Sequence, residues 1–164
     1  MKISVEVDGV QDTIRAFEKV EKGIVDFREL GTWDWVQSEF YKIQKEIFAS
    51  EGAAGKGGKW KALSSPYAAI KQAKYGDMPI LQASGKMYKT FTSDAGNVDK
   101  KADSMTFQFD APAGYHMGKG GRGKMPYRSS LDLNPEQQKR LLEPVSKKLK
   151  QLIMNAKLRY YQGL

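Results

Sequence analysis

The stretch "TWDWVQSEFYKIQKEIFA", Thr32 to Ala49, carries the clearest periodicity in the chain. Trp33, Val36, Phe40, Ile43 and Ile47 repeat at intervals of 3, 4, 3 and 4 residues. That spacing winds five apolar side chains onto one stripe of an α-helix. Such a stripe must be covered. A seam between subunits would cover it, but packing on the chain's own sheet is the preferred reading. Thr32 is placed to cap the helix by accepting from the free amides of its first turn.

Working outward, Ile3, Val5 and Val7 alternate with polar residues and predict a short strand closed at Asp8-Gly9. Val10, Ile14, Phe17, Ile24 and Phe27 predict a first helix, weakened by Gly23 and ended by Gly31. After the central helix, Glu51–Trp60 holds four glycines in ten residues. It is predicted to be a mobile loop over about 51–58, pinned at its far end by Trp60 and Leu63. Ser64-Ser65-Pro66 predicts a helix start, with a serine cap and Pro66 in the first turn, running to about Lys74. Another short helix is expected within Ile80–Thr92. Met105, Phe107 and Phe109 alternate as a strand with one buried face, paired antiparallel with a strand holding Val98 across a turn near Ala102-Asp103. Asn134-Pro135 predicts the start of a long C-terminal helix with its stripe at Leu141, Val145, Leu149, Leu152, Ala156 and Tyr160. Pro144 lies inside it and predicts a kink or break. The expected class is α+β: one domain over 1–164, with a small antiparallel sheet packed with several helices. Trp33, Val36, Phe40, Ile43, Ile47, Phe107 and Phe109 are the core candidates.

The chain of 164 residues has a formal net charge of +8 and no cysteine. The missing cysteine excludes disulfides, thiolate metal sites and cysteine nucleophiles. One histidine, His116, cannot build a common zinc site, and no acid or nucleophile is paired with it in the sequence. It reads as a structural or interface residue. No metal, cofactor, small-molecule substrate or catalytic residue is expected, nor a signal peptide or membrane span. The basic excess concentrates in the second half. Lys119, Arg122, Lys124 and Arg128 fall within ten residues that contain no acidic side chain. Nucleic acid, an anionic surface and an acidic protein are the partners such a charge suits.

Gly118 to Lys124 also mimics two nucleotide loops, with glycines at 118, 120 and 123 before Lys124. A phosphate loop needs a buried strand before it and a rising helix after it, whose amides hold the anion. Here "DAPAGYHM" precedes it, Pro126 follows it, and Met125 replaces the hydroxyl that would meet magnesium. A flexible basic loop over about 118–128 is the better reading.

Four blocks between Phe48 and Leu133 carry a family resemblance. The first joins Phe48, Glu51, Gly52, Gly58, Trp60, Leu63, Ser64, Tyr67 and Lys71. The second joins Pro79–Leu81, Ser84, Gly85 and Met87; the third is "PAGYHMG", with Tyr115, His116 and Gly118; the fourth is "MPYRSSLDL", from Met125 through Pro126 to Leu133. In order and spacing the chain resembles the tailed-phage virion morphogenesis family, the tail completion proteins of Mu-like phages. That family commonly has alanine after the tyrosine of the third block and an arginine-proline pair in the fourth, where this chain has His116 and Tyr127-Arg128. The resemblance implies a structural neck protein of the virion, held in the host cytoplasm before assembly. It would form a ring, often of six subunits, between head connector and tail tube, with neighbouring neck and tail tube proteins and the DNA backbone in the channel as partners. Trp60, Leu63, Tyr115, His116, Lys119, Arg122, Lys124 and Arg128 are the interface candidates it implies. A basic nucleic-acid-binding accessory protein is the alternative.

Overall fold

The computed structural model describes residues 2–5, 26–93, 97–109 and 126–162. The elements in chain order are β1 (Lys2–Val5), α1 (Thr32–Ala49), α2 (Ser65–Tyr75), α3 (Lys86–Thr92), β2 (Asn97–Lys100), β3 (Met105–Gln108) and α4 (Pro135–Gln162). The fold is α+β. Among the described residues the three strands form one antiparallel sheet in the order β1-β3-β2. Ile3 and Val98 flank Phe107 from either side.

The alternation in β3 works as its sequence dictates. Met105 and Phe107 are fully buried, while Thr106 and Gln108 are only half-buried. The hairpin to β2 closes where the Lys101 amide donates to the Ser104 carbonyl at 2.8 Å. The α1 stripe is buried on this sheet within its own chain: Trp33, Val36, Phe40, Ile43 and Ile47 are all in the core. Phe40 stacks on Phe107 with ring centroids 4.4 Å apart, and Phe109, beyond the strand end, stacks on Phe91 of α3 at 4.3 Å. The Trp33 indole donates to the Lys101 carbonyl at 2.7 Å, tying the start of α1 to the hairpin. On the other side α1 packs on α4, where Leu141, Val145 and Leu149 are buried. Each large apolar side chain so covered contributes about 1.5–3 kcal/mol, so α1, covered by sheet, α3 and α4 together, is the axis of the fold.

Three local expectations are corrected. Thr32 is not a cap; it is the first residue of α1 and is buried, and no side chain caps this end. Gly31 takes the cap position at φ 66°, because the tight turn from Asp26 needs a left-handed residue there. The short helix expected within Ile80–Thr92 is α3, which starts at Lys86; the preceding residues turn sharply, with Leu81 at φ 64° and Gly85 at φ 70°. Pro144 does not break α4, which runs on through it from Pro135 to Gln162. The proline removes one backbone donor, and the buried Leu141, Val145 and Leu149 hold both sides of it on α1. Phe27 lies in the turn before α1 with its amide on the Ala102 carbonyl at 2.9 Å. The rest of the predicted first helix, with Val7 and Asp8-Gly9, lies outside the described residues, as do the side chains of Ala156 and Tyr160.

Candidate assembly site

Three of the four sequence blocks meet at the C-terminal end of α1. The helix stops in a turn in which the Gly52 amide returns to the Ile47 carbonyl at 2.8 Å. Gly52 sits at φ 91°, and a Cβ there would lie 2.4 Å from Cδ1 of Trp60. The glycine is therefore required twice, by its backbone angle and by the indole against it. Trp60 is buried edge-on against Phe48, with centroids 5.3 Å apart. Its indole N–H donates to the Ser129 carbonyl at 3.1 Å and its amide to the Glu51 carbonyl at 2.7 Å. Glu51 in turn accepts from the Ile80 amide at 3.0 Å through its carboxylate. The "EG", "W", "PIL" and "RSS" residues thus belong to one hydrogen-bonded hub.

Arg128 is a second tie. Its guanidinium is buried and donates through Nε to the Lys61 carbonyl at 2.9 Å and through Nη2 to that of Ala62 at 3.2 Å. Burial pushes its pKa down, yet a guanidinium stays charged at neutral pH. Lys71, the buried side chain of α2, donates its ammonium to the Met78 and Pro79 carbonyls and fastens α2 to the following loop. Next to Arg128, burial raises the pKa of the Tyr127 phenol, which donates to Asp132 at 2.7 Å.

The glycine-rich loop is not loose. The Lys56 amide donates to the Asp132 carbonyl at 2.8 Å, and the Ala54 carbonyl accepts from Asn134 Nδ2 and Gln137 Nε2, both at 3.0 Å. Asn134 and Gln137 also bond each other's amides reciprocally at 2.9 Å, a capping box that starts α4 behind Pro135. The loop is ordered because its carbonyls and amides find fixed partners in 132–137.

Of the expected interface residues, Trp60, Leu63 and Arg128 come together here. Trp60 and Arg128 are corrected from interface to interior: both are buried in their own chain, where they hold backbone segments that sequence alone leaves unconnected. Leu63 is half-buried against the core. Tyr115, His116, Lys119, Arg122 and Lys124 lie outside the described residues.

Two surface features were not singled out from sequence. Trp35 is 61% exposed beside a groove of about 490 Å³ between α1 and α4, lined also by Glu39, Lys42, Arg140, Pro144 and Lys147. Its separation of two residues from Trp33 puts it on the opposite side of the helix, a signal the sequence does contain. Tyr67, Ile70, Tyr75 and Met78, on and just beyond α2, are also exposed. Among the described residues no three histidine or carboxylate side chains are grouped to hold a metal, and no helix is long and apolar enough to cross a membrane. Comparison with models of protein families, with curated proteins and with solved structures gives no match.

Proposed function

We propose that the chain is a structural component of a phage neck, acting as a homo-oligomeric ring, of six subunits, that completes the tail between head connector and tail tube. The observation that carries this reading is the convergence of the resembling blocks on one hub. Their polar residues Glu51, Trp60, Lys71 and Arg128 each bond main-chain groups. Residues used in this way act by holding a shape, which suits a protein whose work is to fit neighbours. In this reading the cations Lys119, Arg122 and Lys124 meet an acidic neighbouring ring or the DNA backbone, where each contact is modest and screened by salt.

The test mixes separate heads and tails with purified protein and counts joined particles. Changing Lys119, Arg122 and Lys124 to Glu is expected to leave the thermal melt unchanged and to block joining. Normal joining by the triple variant removes these cations from the mechanism, and a native mass that stays monomeric even with purified tails removes the ring.

A nucleic-acid-binding accessory protein is the second reading. It is favoured by the end of the chain, which has five lysines or arginines and no acidic residue after Glu143. Binding to duplex DNA that falls steeply with salt, by a protein that never assembles on tails, would select it.

A further inference from the structure

Helix α2 carries its apolar stripe on the wrong side for a core. Pro66, Ala69, Ile70 and Ala73 follow the i, i+3, i+4, i+7 pattern that normally marks the buried face of a helix. All four are exposed, Ile70 by 64%, and Tyr67 at their edge is 52% exposed. The opposite side faces the protein, and there the buried residue is Lys71, whose ammonium holds the 78–79 carbonyls. An 11-residue helix is marginal in water without packing. This one is anchored by a lysine and leaves its apolar stripe uncovered.

The surroundings say what covers it. From Gly52 to Gly76 there are five lysines, of which Lys71 is buried, and no acidic residue; the first acid beyond is Asp77. Lys59, Lys61 and Lys74 are exposed. An occupant must therefore bring apolar side chains to the stripe and carboxylates to its rim. A second copy of this chain fits poorly. Face to face, the lysines would repel; head to tail, the approaching copy would itself carry a net charge of +8. Nucleic acid would supply the negative charge, but it offers no aliphatic surface to Ile70.

We propose that the exposed face of α2 is a docking surface for an acidic amphipathic segment of a different protein, with apolar anchors over Ile70 and Tyr67 and carboxylates toward Lys59, Lys61 and Lys74. The inference does not rest on the tail reading. It stands on the geometry of α2 and the charge around it.

The probe is a fluorescent helical peptide with leucine at i, i+3, i+4 and i+7 and glutamate elsewhere, titrated with the full chain and read by anisotropy. A peptide with lysine in place of glutamate and a 20-nucleotide oligo-dT are run beside it. The glutamate peptide is expected to bind. Ile70→Glu should weaken it about tenfold or more with an unchanged thermal melt, since Ile70 touches little of its own chain. Lys74→Glu and added salt should each weaken it further. If Ile70→Ser, a milder change, and Ile70→Glu both leave binding unchanged, the proposal is wrong. It is equally overturned if neither peptide binds, if oligo-dT competes at lower concentration than the peptide, or if sedimentation shows a dimer that Ile70→Glu dissolves, which would make the occupant a second copy.

Discussion

The indole N–H of Trp60 reaches the main-chain carbonyl of Ser129, 69 residues further along the chain, at 3.1 Å. One bond thus joins the loop after α1 to the segment that leads into α4. Trp60→Phe keeps the ring on Phe48 but orphans a carbonyl at a buried residue, and is expected to cost about 1–3 kcal/mol. Trp60→Ala also opens a cavity and should cost about 3–5 kcal/mol. Chemical denaturation of the two variants separates the terms; a Trp60→Phe variant as stable as wild type would mean that the hydrogen bond contributes nothing.

Gly52→Ala tests the same contact from the other side. Its methyl would lie 2.4 Å from the indole and 2.8 Å from the Gly58 carbonyl oxygen, at a φ of 91°. A loss of about 3 kcal/mol or more is expected in the same denaturation assay.

Arg128→Lys retains the charge but not the fork. A single ammonium does not reproduce the separate Nε and Nη2 bonds to the Lys61 and Ala62 carbonyls, so the variant should lose about 1.5–3 kcal/mol, read as a lower melting temperature. A solvated loop cation would tolerate the change without effect.

Phe40→Asp places a carboxylate against Phe107 in the core and is expected to unfold the chain, with loss of near-ultraviolet circular dichroism. A soluble, native-like variant would contradict the burial of the α1 stripe.

Arg140 ties α4 to α1 through Glu39 at 2.7 Å and Glu46 at 2.8 Å. The hydrogen bond from Arg140 holds the Glu46 carboxyl below its ordinary 4.5 and raises the pKa of Arg140 itself. Because the folded value of Glu46 is the lower one, its stabilisation is complete above the unfolded value and is lost as pH falls through the folded value. The side chains are partly exposed, so Arg140→Gln should cost only about 1 kcal/mol at pH 7. The gap between wild type and variant should narrow below pH 4.5. A gap constant from pH 7 to 3 would rule out this linkage.

The parts of the fold legible in the sequence are those set by periodicity. The α1 stripe, the alternation of Met105 and Phe107 and the Asn134-Pro135 helix start each follow from local spacing, and each lies where that spacing predicts. Trp60 was legible as an anchor because a large ring after glycines is rarely left in solvent. Arg128 was not. In a run with Lys119, Arg122 and Lys124 it reads as one more solvated cation, and only the arrival of the 61–62 carbonyls shows otherwise. The outward stripe of α2 was illegible for a different reason. Periodicity reveals that a helix has two faces but not which one the rest of the chain will cover.

The hub has a consequence for synthesis. Glu51, Gly52 and Trp60 leave the ribosome long before Ser129, Asn134 and Gln137, the residues that receive the indole and fix the Ala54 carbonyl. Until then the Trp60 indole, the Lys56 amide and the Ala54 carbonyl lack the partners they have in the folded chain. Closure of the hub therefore waits for residues 129–137, and a chain cut before Arg128 would leave the C-terminal end of α1 without those partners.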